Sequence, residues 1–238
     1  MAAGNSQPCH HGDAAREDDV LQVPGWPGHA AGQYVDLRIT ARNGYRTERS
    51  YSIASAPEDP RLSLTVERLP CGEVSGYLTE QLRAHDELEL RGPAGDYFSW
   101  RVGDTGPLLL IARGPGLVPM MAMLRHRAAW SSTVEAGLLL SARSPEDVLY
   151  RDELATLETG AGLSVHYTFA PDATSGGTEL AEGLEARLSA AAGRHLTPRP
   201  RIFVCGPAPF IGAASSLLAD AGYDPNTIRV QDIAPAGG

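Results

Sequence analysis

The chain has 238 residues, of which 42% are hydrophobic and 21% charged, so it can form one large or two small globular domains. Its formal net charge of −9 disfavours non-specific binding to nucleic acid or to an anionic membrane, because both need clustered Lys and Arg. It has neither an apolar run of transmembrane length nor a visible secretory signal, so we expect a cytoplasmic protein without membrane insertion.

The N-terminal segment 1–21 is polar and shows no apolar periodicity, so we predict a disordered N-terminal tail. It contains a Cys9-His10-His11 cluster, but no further ligand lies at useful spacing, and we predict no metal site. Cys71 and Cys205 are distant in sequence, so the cysteines indicate neither a disulfide framework nor an iron–sulfur cluster.

The first half of the chain has the pattern of an antiparallel β domain. Short segments of alternating apolar and polar residues are separated by turns rich in Gly and Pro, and Asn43-Gly44 is a strong hairpin signal. A short helix is expected at 74–82. We therefore predict a β-barrel or sandwich over residues 22–104. The strands are expected at 33–39, 47–55, 61–68 and 86–91.

The pattern changes near residue 105. The continuous apolar run at 108–112 is typical of a strand that is buried on both faces of a parallel sheet. Strands and helices alternate from there, which predicts right-handed βαβ units in an α/β, Rossmann-like domain over 105–238. Strands are expected at 108–112, 136–141, 164–169, 201–205 and 228–230, and helices at 119–130, 151–157, 179–191 and 209–221.

The strand 47–55 contains the first candidate site. Its period of two places Arg49 and Tyr51 on one face and Ser50 and Ser52 on the other. A guanidinium next to an aromatic ring suits a ligand that has both a phosphate and a ring system. The same residues would also suit an ordinary edge strand with a solvated arginine and a half-buried tyrosine.

Two glycine-containing turns offer backbone N–H groups to an anion. Gly72, Val74 and Ser75 lie at the start of the short helix, where Ser75 would alternatively cap the helix. Gly114 and Gly116 lie between a buried strand and a helix, where they would favour close approach of a pyrophosphate. A plain strand-to-helix turn is the alternative there.

Two later strands end in further candidates. Ser141 and Arg143 follow the strand 136–141, where a doubly wound sheet contacts the adenosine ribose, and a guanidinium there suits a 2′-phosphate. The alternative is a surface arginine. Cys205, Gly206 and Pro207 end another buried strand at the same carboxyl edge, although alone they would be an ordinary buried cysteine and a helix start.

Taken in their order along the chain, these motifs resemble those of the ferredoxin–NADP reductase family, in particular stand-alone FAD-binding oxidoreductases of the actinobacterial type. The resemblance runs from about residue 23 to 230 and implies an FAD-binding barrel followed by an NAD(P)-binding domain. It also implies hydride transfer from NADPH or NADH to the flavin, and electron transfer to ferredoxin, flavodoxin, an oxygenase component or a small acceptor. The alternative is a degenerate flavoprotein fold that acts as a non-catalytic binding module. The resemblance rests on segments 32–35, 49–55, 90–93 and 205–207.

The resemblance also implies residue roles. Arg49 would bind the FAD pyrophosphate, Tyr51 would lie on the isoalloxazine, and Ser52 would reach its N5 edge. Together with Cys205 near the nicotinamide, Tyr51 and Ser52 form the predicted catalytic set. Other cofactor contacts are implied for Ser50, Val66, Glu67, Gly72, Val74 and Ser75 toward FAD, and for Gly114, Gly116, Ser141, Arg143, Gly206 and Pro207 toward the nicotinamide dinucleotide.

The chain departs from the family pattern at four places. The polar tail replaces a first strand, so an edge of the barrel is expected to be missing. The glycine loop contains Arg113 and Pro115, and Pro115 lacks an N–H donor. The segment after Phe169 lacks an Arg-Gly-Arg-like motif, and residues 231–233 replace the usual Glu-Arg-Phe near the C-terminus.

Overall fold

The structure is a computed structural model. Four sequence predictions lie wholly or mostly outside the residues it describes: the disordered tail, of which residues 1–15 lie outside, the Cys9-His10-His11 cluster, the Asn43-Gly44 turn and the helix at 179–191, of which residues 180–183 are described and helical. The described residues are 16–40, 46–68, 72–83, 86–160, 162–170, 180–183 and 199–233.

Among its described residues, the first half has a framework of five antiparallel strands. One sheet pairs β1 with β4, and the other has the order β3-β2-β5. A bridge between Ile53 and Leu64 joins the two sheets into a barrel-like domain, as the sequence predicts. The strands are β1 (Arg16–Leu21), β2 (Tyr34–Thr40), β3 (Arg46–Ser52), β4 (Leu62–Glu67) and β5 (Glu89–Ala94).

Strand β1 corrects two predictions. Residues 16–21 pair with β4 in a register that runs from Arg16 opposite Glu67 to Leu21 opposite Leu62. The prediction of a disordered tail is therefore wrong for these residues, as is the expected loss of a barrel edge. The physical reason is that backbone pairing along β4 satisfies the N–H and C=O groups of both strands without requiring an apolar pattern in β1.

The helix α1 (Glu73–Glu80) closes one side of this domain. Its Val74 and Leu78 are buried in the same apolar cluster as Val35 and Leu37 of β2. Packing on that cluster fixes the start of α1 beside the antiparallel strands.

In the part of the second half that the structure describes, the strands form a five-stranded parallel sheet with the order β10-β9-β6-β7-β8. Every residue of β6 and β7 is buried, which confirms the prediction from their apolar runs. The strands are β6 (Leu108–Arg113), β7 (Ala136–Ala142), β8 (Leu163–Phe169), β9 (Arg201–Gly206) and β10 (Ile228–Asp232), and the helices are α2 (Leu117–Ala129), α3 (Arg151–Thr159) and α4 (Ala208–Asp220).

The two halves share an apolar core. Ala54, Phe98 and Trp100 of the first half belong to the same buried cluster as residues of α2 and of the central parallel strands. Helix α4 packs on a second cluster with other side chains of the sheet. No helix in the described part of the chain is long and apolar enough to cross a membrane.

Candidate active site

Strand β3 presents Arg49 and Tyr51 on one face, as predicted. Arg49 lies opposite Leu37 and Tyr51 opposite Val35, and partners across an antiparallel pair share a face. Both side chains are half-buried. The guanidinium of Arg49 donates to the carbonyl oxygen of Glu48 at 2.8 Å from Nη1. The strand therefore places a cation and an aromatic ring next to each other at the border of the barrel core.

The first turn of α1 lies beside this face, because Val74 and Tyr51 contact the same apolar cluster. Gly72 occupies the N-cap position and provides no side-chain acceptor for the first N–H groups. Ser75 is buried within the helix, and its hydroxyl lies 3.4 Å from the carbonyl oxygen of Gly72. The alternative in which Ser75 caps the helix is thus wrong.

These groups fit the pyrophosphate and ring system of FAD. A guanidinium and a helix start without a side-chain cap supply positive charge and N–H donors for phosphate oxygens, and Tyr51 supplies the stacking surface. Val66 of the neighbouring strand β4 is fully buried, so only its backbone is suited to a ligand, whereas Glu67 is half-buried. Ser50 points to the opposite face, where its hydroxyl donates to Asp36.

The two glycines after β6 have different surroundings. A Cβ on Gly116 would lie 2.2 Å from the carbonyl oxygen of Cys205, so Gly116 allows the turn to pack directly on β9. Gly114 has a φ of +52°, and a Cβ there would meet no heavy atom within 4 Å. Gly114 is therefore the glycine with open space for a phosphate, while Gly116 is required by packing inside the protein.

Arg113 links the carboxyl ends of three neighbouring strands. Its Nη1 donates to Ser141 Oγ at 2.8 Å, and its Nη2 donates to the carbonyl oxygen of Ala170 at 3.0 Å. Arg113 and Ser141 are 6% and 2% exposed, respectively. The Ser141 hydroxyl, which is predicted to contact a nucleotide, thus accepts a hydrogen bond from Arg113, a partnership that sequence reasoning missed.

Arg143 is paired with an acid in its own loop. Its side chain is 51% exposed, and Nη2 donates to Asp147 Oδ1 at 2.9 Å. Ser144 Oγ donates to the other oxygen of Asp147, also at 2.9 Å. Asp147 was not among the predicted residues, although its position four residues after Arg143 is a recognisable ion-pair spacing.

Cys205 is fully buried at the end of β9. Burial raises the pKa of its thiol, with a smaller contribution from Asp232, so the group is a neutral thiol at neutral pH. Gly206 follows at the strand end, and Pro207 is the N-cap residue of α4. A contact of Cys205 with a nicotinamide stays a prediction.

The two halves meet at a hydrogen bond between Ser52 and Gln231. Gln231 Nε2 donates to Ser52 Oγ at 3.1 Å, and Gln231 lies opposite Cys205 in the parallel pair of β10 with β9. The backbone N–H of Ile233 donates to the carbonyl oxygen of Gly206 at 3.1 Å. The end of the Arg49–Ser52 strand is therefore adjacent to the carboxyl edge of the parallel sheet.

Comparison with known proteins identifies both halves. Residues 22–98 match the family model of the oxidoreductase FAD-binding domain, and residues 110–216 match that of the oxidoreductase NAD-binding domain. The chain is also 34% identical over 184 residues to ferredoxin–NADP reductase B of Sorangium cellulosum, covering 74% of this chain and 73% of that protein. The chain belongs to the ferredoxin reductase-like family.

Other members of this ferredoxin reductase-like family are longer. The reductase component of propane 2-monooxygenase from Rhodococcus jostii is 31% identical over 196 residues, which cover 79% of this chain and 50% of that protein. The chain spans about half the length of several curated relatives that it matches. The flavohem-like FAD/NAD-binding domain of a Vibrio cholerae nitric oxide dioxygenase matches with a TM-score of 0.75 and 26% identity, covering 93% of this chain and 94% of that one.

The ferredoxin reductase-like assignment confirms the predicted family, the predicted pair of domain types and the predicted cofactors, FAD and a nicotinamide dinucleotide. Individual residue roles within the two sites stay predictions.

Proposed function

We propose that this chain is an NAD(P)H-dependent flavin oxidoreductase that passes electrons to a separate acceptor. The hydrogen bond between Gln231 and Ser52 supports this most directly, because it joins the flavin strand to the nucleotide-binding sheet. When bound, FAD would supply the redox chemistry, namely acceptance of a hydride from a reduced nicotinamide and release of electrons to an acceptor. The protein supplies binding, orientation and hydrogen bonds.

Ser52 is suited to orient the flavin edge. Its oxygen accepts a hydrogen bond from Gln231, and a hydroxyl that accepts can still donate its own proton. The Ser52 hydroxyl would therefore be able to donate its proton to a ring nitrogen of bound FAD, and Tyr51 would provide the stacking surface. Arg49 and the start of α1 would hold the pyrophosphate at the other end. No ionisable acid or base is needed in this arrangement.

We place the boundary between the two domains near residue 105. The family models leave residues 99–109 between them, and β6 begins at Leu108. The FAD-binding domain then covers 22–104 together with strand β1, and the NAD(P)-binding domain covers 105–238.

The loop after β7 favours NADH over NADPH. Arg143, the predicted 2′-phosphate ligand, is already paired with Asp147, and the Ser141 hydroxyl already accepts from Arg113. A carboxylate at this position accepts hydrogen bonds from a ribose 2′-hydroxyl and repels a 2′-phosphate. We therefore infer that Asp147 selects the unphosphorylated nucleotide.

The electron acceptor is proposed from the relatives. The names of the matched proteins describe a reductase component of a monooxygenase and a ferredoxin–NADP reductase. We propose a ferredoxin, a flavodoxin or an oxygenase component as the partner of this chain. We also propose a cytoplasmic location, because the enzyme would take its electrons from the cytoplasmic pool of reduced nicotinamide. Fractionation of the source cells would test this location.

Steady-state turnover with ferricyanide as acceptor tests the proposal. The FAD-loaded protein is expected to oxidise NADH, and Ser52→Ala to retain FAD but to lose about 10- to 100-fold in kcat, because a hydrogen bond to the reacting ring is removed. Ser216→Ala, at an exposed position on α4, is the control and should be unchanged. FAD-loaded protein that does not oxidise either nucleotide would instead support the non-catalytic binding module.

A further inference from the structure

We propose that Tyr150 is a positioning residue for hydride transfer, an inference that rests on the proposed function. Tyr150 ends the segment 143–150, which follows β7 and contains Arg143 and Asp147, and it is the N-cap residue of α3. Its side chain links this segment to the first half of the chain. We infer that these links fix the segment 143–150 relative to the flavin strands and so set the distance over which a hydride would move.

The backbone of Tyr150 has a conformation that few residues of its size adopt. Its φ of +53° and ψ of +29° lie in the left-handed region, which is uncommon for residues other than glycine and costly for a bulky side chain. The carbonyl oxygen of Tyr150 accepts from the N–H of Leu154 at 2.8 Å, the hydrogen bond that starts α3. Residues in such conformations persist where their surroundings hold them, and they are concentrated at functional sites. The contacts that hold Tyr150 therefore indicate its role.

The hydroxyl of Tyr150 reaches the flavin half of the chain. Tyr150 Oη and Thr65 Oγ1 are hydrogen-bonded, although the two residues are 85 positions apart. Thr65 is a buried residue of β4. The next two residues of that strand, Val66 and Glu67, are those for which contacts with FAD are expected. This hydrogen bond therefore joins the segment 143–150 to the strand beside the expected flavin site.

The ring of Tyr150 makes a second link through Arg125 of α2. The Arg125 guanidinium lies over the ring, 5.0 Å from its centroid. Glu153 fixes that guanidinium with two charge-assisted hydrogen bonds, at 2.7 and 2.6 Å. Arg125 Nη1 also donates to the carbonyl oxygen of Ala54, two residues after Ser52, at 2.7 Å. The ring is thereby held against a cation that is itself bonded to the flavin half.

Both links end where the two sheets of the barrel-like domain join. Ile53 and Leu64 form the bridge between those sheets. Ala54 directly follows Ile53, and Thr65 directly follows the other bridge residue. Two contacts beside one bridge restrain the position of Tyr150 more than a single contact would. Because a misplacement of about 1 Å can slow a reaction about 100-fold, loss of one contact should slow hydride transfer more than it weakens nucleotide binding.

Anaerobic stopped-flow reduction of the FAD-loaded protein by NADH tests this inference. Tyr150→Phe keeps the ring next to Arg125 and removes the hydroxyl. We expect it to lower the limiting rate constant of flavin reduction by about 5- to 20-fold, while the dissociation constants of NADH and FAD change by less than about twofold. Tyr223→Phe removes the hydroxyl of another half-buried tyrosine, which packs on the cluster beneath α4, and should have the wild-type rate.

Thr65→Val removes the other hydroxyl and tests the same hydrogen bond even where Tyr150→Phe does not fold. It should show the same loss of rate, and the double variant should be no slower than the slower single variant. A wild-type limiting rate in either single variant, or rate losses that multiply in the double variant, would overturn this inference alone. Wild-type flavin that neither NADH nor NADPH reduces would overturn the proposed function, and this inference with it.

Discussion

Arg49 is the residue on which retention of FAD should depend most. Replacing it with alanine removes a charge-assisted contact to the pyrophosphate, worth about 1.5–3 kcal/mol. We therefore expect Arg49→Ala to weaken FAD binding by roughly 10- to 100-fold, measured by fluorescence titration of the FAD-free protein.

Arg46→Ala is the matched control for Arg49, because Arg46 belongs to the same strand but to its opposite face. It should bind FAD like the wild type. An Arg49→Ala protein with wild-type affinity would show that Arg49 is only a solvated arginine on the strand.

Asp147 should decide the choice of nucleotide. Asp147→Asn removes the negative charge beside Arg143 and frees the guanidinium for a 2′-phosphate. We expect the ratio of kcat/KM for NADH to that for NADPH to fall by about tenfold. Asp220→Asn, at an exposed position at the end of α4, should leave the ratio unchanged. A ratio that does not respond to Asp147→Asn contradicts the assignment.

Contacts that follow from the alternation of side chains along a strand could be predicted from the sequence. Contacts that long side chains make with residues on other strands could not. The period of two was enough to place Arg49 and Tyr51 on one face. The partnership of Arg113 with Ser141 depends instead on a long side chain that spans neighbouring strands, which no local pattern encodes. For the same reason Gln231 was noted only as a departure, although it reaches Ser52 in the other half of the chain.

Among the elements, strands that contain a continuous apolar run were predicted from the sequence. Strand β1, which is mostly charged, was not. The buried strands β6 and β7 each contain an apolar run, 108–112 and 136–140, and the structure confirms both strands within one residue at each end. Strand β1 begins Arg16-Glu17-Asp18-Asp19 and exists through its pairing with β4. Its formation is a tertiary effect that outweighs local propensity.

The turn between β6 and α2 has a strict steric requirement at Gly116. A Cβ there would lie 2.2 Å from a backbone oxygen of β9, so Gly116→Ala must shift backbone. We expect a loss of about 1–3 kcal/mol in the free energy of unfolding, measured by urea denaturation. Gly212→Ala on α4 is the control: a Cβ there meets nothing within 4 Å, and the change should stabilise the helix by up to about 1 kcal/mol. Equal stability of the two variants would contradict the packing assignment.

At the scale of the molecule, polar contacts reinforce the shared apolar core. Arg125 of α2 donates to the carbonyl oxygen of Ala54 at 2.7 Å and pairs with both carboxylate oxygens of Glu153. Tyr97 Oη donates to the carbonyl oxygen of Ile228 at 3.1 Å. These links hold the strand that contains Arg49 and Ser52 close to the edge of the parallel sheet.

Glu58 makes part of this domain contact dependent on pH. Burial would raise its pKa, but hydrogen bonds from His126 and Trp130 outweigh burial and hold the pKa below the usual 4.5. Its stabilising contribution is therefore present above pH 4.5 and is lost as the pH falls toward the lower folded-state value. Glu58→Gln should show a smaller drop in Tm between about pH 7 and about pH 3.5 than the wild type.

Glu87→Gln, at an exposed position, is the control for Glu58 and should retain the wild-type pH dependence of Tm. If Tm falls by as many degrees on acidification in Glu58→Gln as in the wild type, the hydrogen bonds of the Glu58 carboxylate with His126 and Trp130 do not couple the two halves.

The central claim is that nicotinamide and flavin sites work together across the Ser52–Gln231 contact. Anaerobic titration of the FAD-loaded protein with NADH and then NADPH, followed by the visible absorbance of the flavin, tests it most directly. We predict that a stoichiometric amount of NADH bleaches the flavin and that NADPH does so less readily. A protein that holds FAD but whose spectrum is unchanged by either nucleotide would contradict the account.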